Sequence, residues 1–237
     1  MTHELHEPLE ADPVRQTVQR LHDRIAARFP QRGLRKVATD LLTMIDKVET
    51  GPKANQGRIR MARLTSRVLI GAILVATGVA LVLGFRDALK DDAGLSSSLD
   101  WLPLIETTVN DIVFAALAVY FLFSFPERLQ RGRTLALLHQ LRSMAHIIDM
   151  HQLTKDPEQL RESFVPTSAS HPLDMTRDEM ERYLDYCSEM LSLVGKTAAL
   201  CAEESRDAVV LDTVSTIESL TTGMSRKIWQ KISVLPR

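Results

Sequence analysis

The sequence predicts an all-α protein: a two-helix transmembrane hairpin joined to a cytoplasmic helical bundle. That bundle is expected from the N-terminal helices and a C-terminal antiparallel helical hairpin. Three observations lead there. Val68 to Phe85 reads VLIGAILVATGVALVLGF, eighteen residues without a charge, amide or proline. At ~1.5 Å of rise per residue, such a helix covers most of a ~30 Å hydrocarbon core. A second apolar run, Ile112 to Phe125, follows within reach of a short loop. Elsewhere apolar residues recur at spacings of three and four, the period of helices with one buried stripe.

Composition sets the limits. Of 237 residues, 45% are hydrophobic, and the mean hydropathy is −0.05, so most of the chain is expected in water. The formal charge of −1 carries no basic excess of the kind nucleic acid selects. Cys187 and Cys201 fall fourteen positions apart in one predicted helix, about four turns, which is too far for a disulfide. They read as reduced core residues. Met1 to Pro13 has no basic segment leading into an apolar one, so it reads as a mobile tail rather than a signal peptide. The spans are then expected to stay in the mature chain.

Val14, Val18, Leu21, Ile25 and Phe29 form the stripe of a first helix, broken by Pro30 and Gly33. Leu34, Val37, Leu41, Met44, Ile45 and Val48 form a second, expected to end at Gly51-Pro52. These helices can pack on other helices. The second can also lie on a lipid surface with Arg32, Arg35 and Lys36 at the head groups.

Lys53, Arg58, Arg60, Arg63 and Arg67 make a basic collar, with no acid from 53 to 67. Arg128, Arg131 and Arg133 follow the second apolar run, opposed by Glu127 alone. The intervening loop, 86–106, holds Arg86 and Lys90 against Asp87, Asp91, Asp92, Asp100 and Glu106. The Lys/Arg bias of short flanking segments sets orientation, so both termini are expected in the cytoplasm. The collar is expected to attract anionic lipid head groups through Arg58, Arg60, Arg63 and Arg67. In the loop, Gly-Leu-Ser-Ser-Ser reads as a turn and Trp101 as an interfacial aromatic.

Extending the second span back to Thr107 brings in Asn110 and Asp111. A carboxylate in a span is costly and is normally placed against water or protein. Here it reads as an interfacial residue at the outer end, or as a polar lining. Pro126 marks the expected inner end. In the first span Ala72, Ala76, Ala80 and Gly84 recur every four residues, a small-residue stripe that lets another backbone approach. Self-association is the expected consequence.

Past the membrane, Leu137, Leu141, Met144 and Ile148 predict the buried side of a helix over 127–153. His139, Arg142, His146 and Asp149 occupy its other side. His139 and His146 stand two turns apart, about 10 Å, too far to share an ion. His146 with Asp149 is the usable pair, short of a recognised metalloenzyme motif. It reads as a polar face or a His–Asp hydrogen bond, with metal binding and pH sensing as the alternatives. Asp156 is placed to cap a new turn with Pro157 at its first position. Residues 163–174 read as a loop, and Thr176-x-x-Glu179 as a capping box. The helix it opens carries Met180, Leu184, Cys187, Leu191, Val194, Ala198 and Cys201 in a coiled-coil-like seam. After a polar turn at 203–207, the last helix shows Val210, Val214, Ile217, Met224, Ile228 and Leu235. Arg226, Lys227, Lys231 and Arg237 are expected to offset the negative end of that helix.

The stretches AHIIDMHQLTKDP (145–157), YLDYCSEML (183–191) and SRKIWQKI (225–232) resemble uncharacterised bacterial two-span membrane proteins, over roughly the C-terminal half. The resemblance implies an inner-membrane setting and no activity.

The expected division is a tail over 1–13, amphipathic helices and collar over 14–66, the hairpin over 67–126 (spans 68–85 and 107–125), and a cytoplasmic helical domain over 127–237. There is no Gly-rich phosphate loop, nucleophile elbow or zinc-type Cys/His spacing, and no cofactor is expected. The leading functional reading is a non-enzymatic inner-membrane protein. It self-associates and offers its helices to a cytoplasmic protein partner. The alternatives are an oligomeric channel or transport component lined by the second span, and a membrane-tethered metal-dependent enzyme.

Overall fold

The computed structural model describes residues 9–90, 102–170, 173–203 and 205–236, without side chains at 51–56, 58–59, 85, 87–90 and 102–104. Among the described residues there are five α-helices, one short 3-10 turn and no strand. The helices are α1 (Ala11–Arg28), α2 (Leu34–Lys90), α3 (Leu102–Leu153), α4 (Arg177–Ala202) and α5 (Ala208–Ser233), with the 3-10 turn at Pro157–Leu160. The chain divides into two compact units, Met1–Lys53 with Arg131–Arg237, and Ala54–Gln130.

The first unit is held by the stripes the spacing predicts. Val14, Val18, Leu21, Ile25 and Phe29 are all buried, as are Leu34, Val37, Leu41, Met44 and Ile45. Each such side chain contributes roughly 1.5–3 kcal/mol when fully removed from water. α1 runs antiparallel to the start of α2, with Arg15 Nε donating to Asp46 Oδ1 at 2.8 Å. It packs on α4 through Phe29, whose ring meets Tyr183 and Tyr186 edge-on at 5.3 and 6.1 Å. Arg24 pairs with Glu189 and lies over the Tyr186 ring.

The helices α4 and α5 form an antiparallel pair, with Arg177 Nε donating to Pro236 O at 2.5 Å. From Met180 to Ala198 the predicted stripe of α4 is buried throughout, and Cys201 is half-buried. Val210, Val214, Ile217, Met224, Ile228 and Leu235 are likewise buried. The two backbones come close at Gly195, where a Cβ would stand 3.1 Å from Thr221 Oγ1. The caps are in place. Thr176 accepts from the Glu179 N–H while the Glu179 carboxylate accepts from the Thr176 N–H. Asp207 Oδ1 accepts from the Val209 and Val210 N–H groups.

The structure departs from the sequence reading in four places. Gly51-Pro52 does not end a helix, and α2 continues unbroken from Leu34 to Lys90. The expected second span and the helix read over 127–153 are one element, with Pro126 inside α3. Proline's fixed φ suits a helix; it removes one hydrogen bond and crowds the carbonyl four residues back, costing ~3 kcal/mol. Long helix-forming flanks on both sides can carry that cost, because propagation is easy once a helix is nucleated. Helix α1 begins at Ala11, inside the stretch read as a tail, and Leu9 N donates to Glu203 Oε1 at 3.3 Å. On α3 the buried line is Leu138, Leu141, Met144, Ala145 and Ile148, with Leu137 at its margin. The first eight residues of the expected tail, and the loop from 91 to 101 with Trp101, lie outside the described residues.

Candidate membrane-spanning surface and polar cluster

Among the described residues, two stretches are long and apolar enough to cross a membrane. Arg60–Gly84 holds an 18-residue window of mean hydropathy 2.2, and Ile105–Leu160 one of 1.8; neither window is buried. Within the unit Ala54–Gln130, Ile70, Ile73, Thr77, Leu81 and Gly84 form the less exposed side of α2. On α3 the corresponding residues are Thr108, Ala115, Ala118, Val119 and Leu122. The outward sides are large and greasy: Val75 is 67% exposed, and Phe114 and Phe123 are each 70%. In water that much uncovered apolar surface would be a liability. Hydroxyls on and beside these stretches are satisfied by their own helix, Thr65 donating to Met61 O and Ser124 to Tyr120 O, as hydrocarbon would require.

The structure separates the small residues of the first stretch. Ala72, Ala76 and Ala80 are exposed and Gly84 is half-buried. A Cβ at Gly71 or Gly78 would meet nothing within 4 Å. Asn110 and Asp111 are both exposed on α3.

In the collar, Arg60, Arg63 and Arg67 are exposed, while the Arg58 side chain lies outside the described residues. On α3 the Arg128 guanidinium rests over the Phe121 ring at 5.9 Å, an arrangement that holds a cation beside an aromatic edge of the apolar stretch. Further on, Arg131 pairs with Asp207 at 3.5 Å.

His139, Arg142 and His146 are exposed on α3, and Asp149 is half-buried. Asp149 Oδ1 accepts from Gln152 Nε2 at 2.7 Å, so the carboxylate already has a partner on its own helix. No group of three or more His, Cys, Asp or Glu side chains converges among the described residues. His146 and Asp149 alone fall short of a coordination shell.

Tertiary packing assembles a different polar cluster, where the α1–α2 turn, the end of α3, α4 and the end of α5 meet. Arg32 Nη2 donates to Asp174 O at 2.6 Å and to Asp174 Oδ2 at 3.2 Å. Lys155 Nζ stands over the Tyr183 ring at 5.5 Å. Lys231 Nζ donates to Gln152 O at 2.9 Å and to Lys155 O at 3.1 Å. Lys231, in the last turn of α5, therefore also caps the end of α3. Burial lowers the pKa of both lysines, with Arg32 adding to the effect on Lys155. Burial also pushes the Cys187 thiol up to about 12 and raises the Tyr183 phenol, so both stay neutral near pH 7. His151 is half-buried against Gly33, and burial followed by Lys155 lowers its pKa. The only sequence signal for this cluster was the open carbonyl end of α3, which required some donor.

An open groove of about 410 Å³ separates Asp40, Met44 and Lys47 of α2 from His139, Met144 and Ile147 of α3. Comparison with family models, with curated proteins and with solved structures gave no match.

Proposed function

We propose that the chain is a two-span inner-membrane protein with both termini in the cytoplasm. In this reading the stretches 68–85 and 107–125 form a transmembrane hairpin. The helices of the other unit make a cytoplasmic bundle that presents a surface to a protein partner. The observation that carries it is the pair of apolar windows on α2 and α3, neither buried by the rest of the chain. Orientation is supported by Arg60, Arg63, Arg67 and Arg128 at one end of the two stretches. The same arginines would engage anionic head groups. Self-association draws support from Ala72, Ala76 and Ala80, left open to a second backbone.

A single cysteine at Ser97→Cys, in a Cys187→Ala/Cys201→Ala background, tests the topology. An impermeant maleimide should label it in right-side-out vesicles and not in inverted ones. Labelling confined to inverted vesicles would overturn the orientation.

A pore-forming oligomer is the second reading, favoured by the exposure of Asn110 and Asp111 on α3. It requires conductance in reconstituted bilayers that changes with Asp111→Ala. A folded oligomer without conductance would rule it out.

A further inference from the structure

Gly33 and His151 come together with almost no space between them. Gly33 lies in the turn between α1 and α2, and His151 in the last turn of α3. A Cβ built at Gly33 would stand 2.6 Å from His151 Cε1 and 3.2 Å from Nε2. Only a residue without a side chain lets the ring sit there. On that side no layer of water fits between imidazole and backbone.

The charges around the ring are known from each neighbouring element. Arg32 comes from the α1–α2 turn and Lys155 from the segment after α3. Lys231 comes from α5 and already occupies the carbonyls at the end of α3. From α4, Tyr183 and Cys187 are held neutral. Each nearby acid has a partner: Asp174 is bonded to Arg32, Asp149 to Gln152 and Asp156 to the Glu158 N–H. Glu179 is engaged in its capping box. Among the described residues no carboxylate is bonded to the His151 ring.

We propose that His151 is a proton-sensitive latch: neutral, it seats the α1–α2 turn on the end of α3; protonated, it releases that turn. The charge would arise beside Lys155, on a ring that is already half-buried. Lys155 and partial burial press the ring toward its neutral form, so the seated state prefers the unprotonated histidine. By linkage, opening the turn takes up a proton, and acid favours opening. The inference concerns this unit alone and does not depend on the membrane reading.

Hydrogen exchange on the full-length protein in detergent, with EDTA present and corrected for the intrinsic pH dependence, tests it. Amides of Leu34 to Val37 should lose protection severalfold between pH 7.5 and 5.5, while α4 and α5 keep theirs. His151→Gln should abolish that step. Lys155→Gln retains the ring but removes the neighbouring charge, so the step should shrink. Protection that does not change with pH overturns the proposal. So does an equal step in His151→Gln, or an undiminished step in Lys155→Gln.

Discussion

Lys231 Nζ reaches across 79 positions of sequence to donate to Gln152 O at 2.9 Å. That contact joins the end of α5 to the end of α3, and the Lys155 carbonyl shares the same ammonium. Helix ends leave carbonyls without partners, and buried ones must find a donor. Lys231→Met keeps the bulk of the stem and removes the donor. It should lower stability by about 1 kcal/mol, the range for one lost hydrogen bond, because Gln152 O keeps the Lys155 N–H as a donor. Urea unfolding in detergent reads this directly. Lys231→Arg should lose less, because a donor remains.

Gly195 sets the spacing of α4 and α5. Its missing Cβ lies 3.1 Å from Thr221 Oγ1, and Thr221 is itself buried. Gly195→Leu should force the pair apart and cost about 1–3 kcal/mol or more. Gly195→Ala combined with Thr221→Ala should recover most of that loss, since the colliding oxygen is gone. Thermal unfolding of the two variants beside the parent chain orders them.

The thiols make the fold sensitive to alkali. Burial raises Cys187 from 9.0 to about 12, and Cys201 to about 12 as well. A folded pKa above the unfolded one means stability that is complete below pH 9 and is lost as pH rises through the folded value. The unfolding midpoint should therefore fall between pH 9 and 12. Cys187→Ala with Cys201→Ala should flatten that decline. At pH 8, iodoacetamide should modify both thiols slowly until the chain unfolds.

The arginine collar carries a prediction about lipid charge and orientation. Arg60, Arg63 and Arg67 are exposed, and each cation near an anionic surface is worth roughly 1 kcal/mol. Replacing all three with Gln should weaken the preference for anionic over zwitterionic lipid. It should also raise the fraction of chains inserted in the opposite sense. Protease protection of the Ser97 region in vesicles counts that fraction.

Much of the compact unit was legible because its helices bury stripes of matching period. Every stripe residue from Val14 to Phe29 is buried, and so is each one from Val210 to Leu235. The Thr176–Glu179 capping box and the Asp156 cap were readable for the same reason: both are local chemistry. On α3, Leu137 and Leu138 are adjacent and equally apolar, so periodicity could not choose between them. Gly51-Pro52 read as a stop because a breaker is judged by its own residues, whereas helix continuity depends on long flanks. The Lys231–Gln152 and Gly33–His151 contacts link distant segments, and no spacing rule reaches that far. His146 and Asp149 drew attention as neighbours in sequence, yet Asp149 bonds to Gln152.

The most direct measurement is sedimentation of the intact chain with vesicles, washed in alkaline carbonate. A protein crossing the bilayer through α2 and α3 should remain in the pellet and enter solution only with detergent. Recovery of a folded, monodisperse chain in the carbonate supernatant would contradict the account.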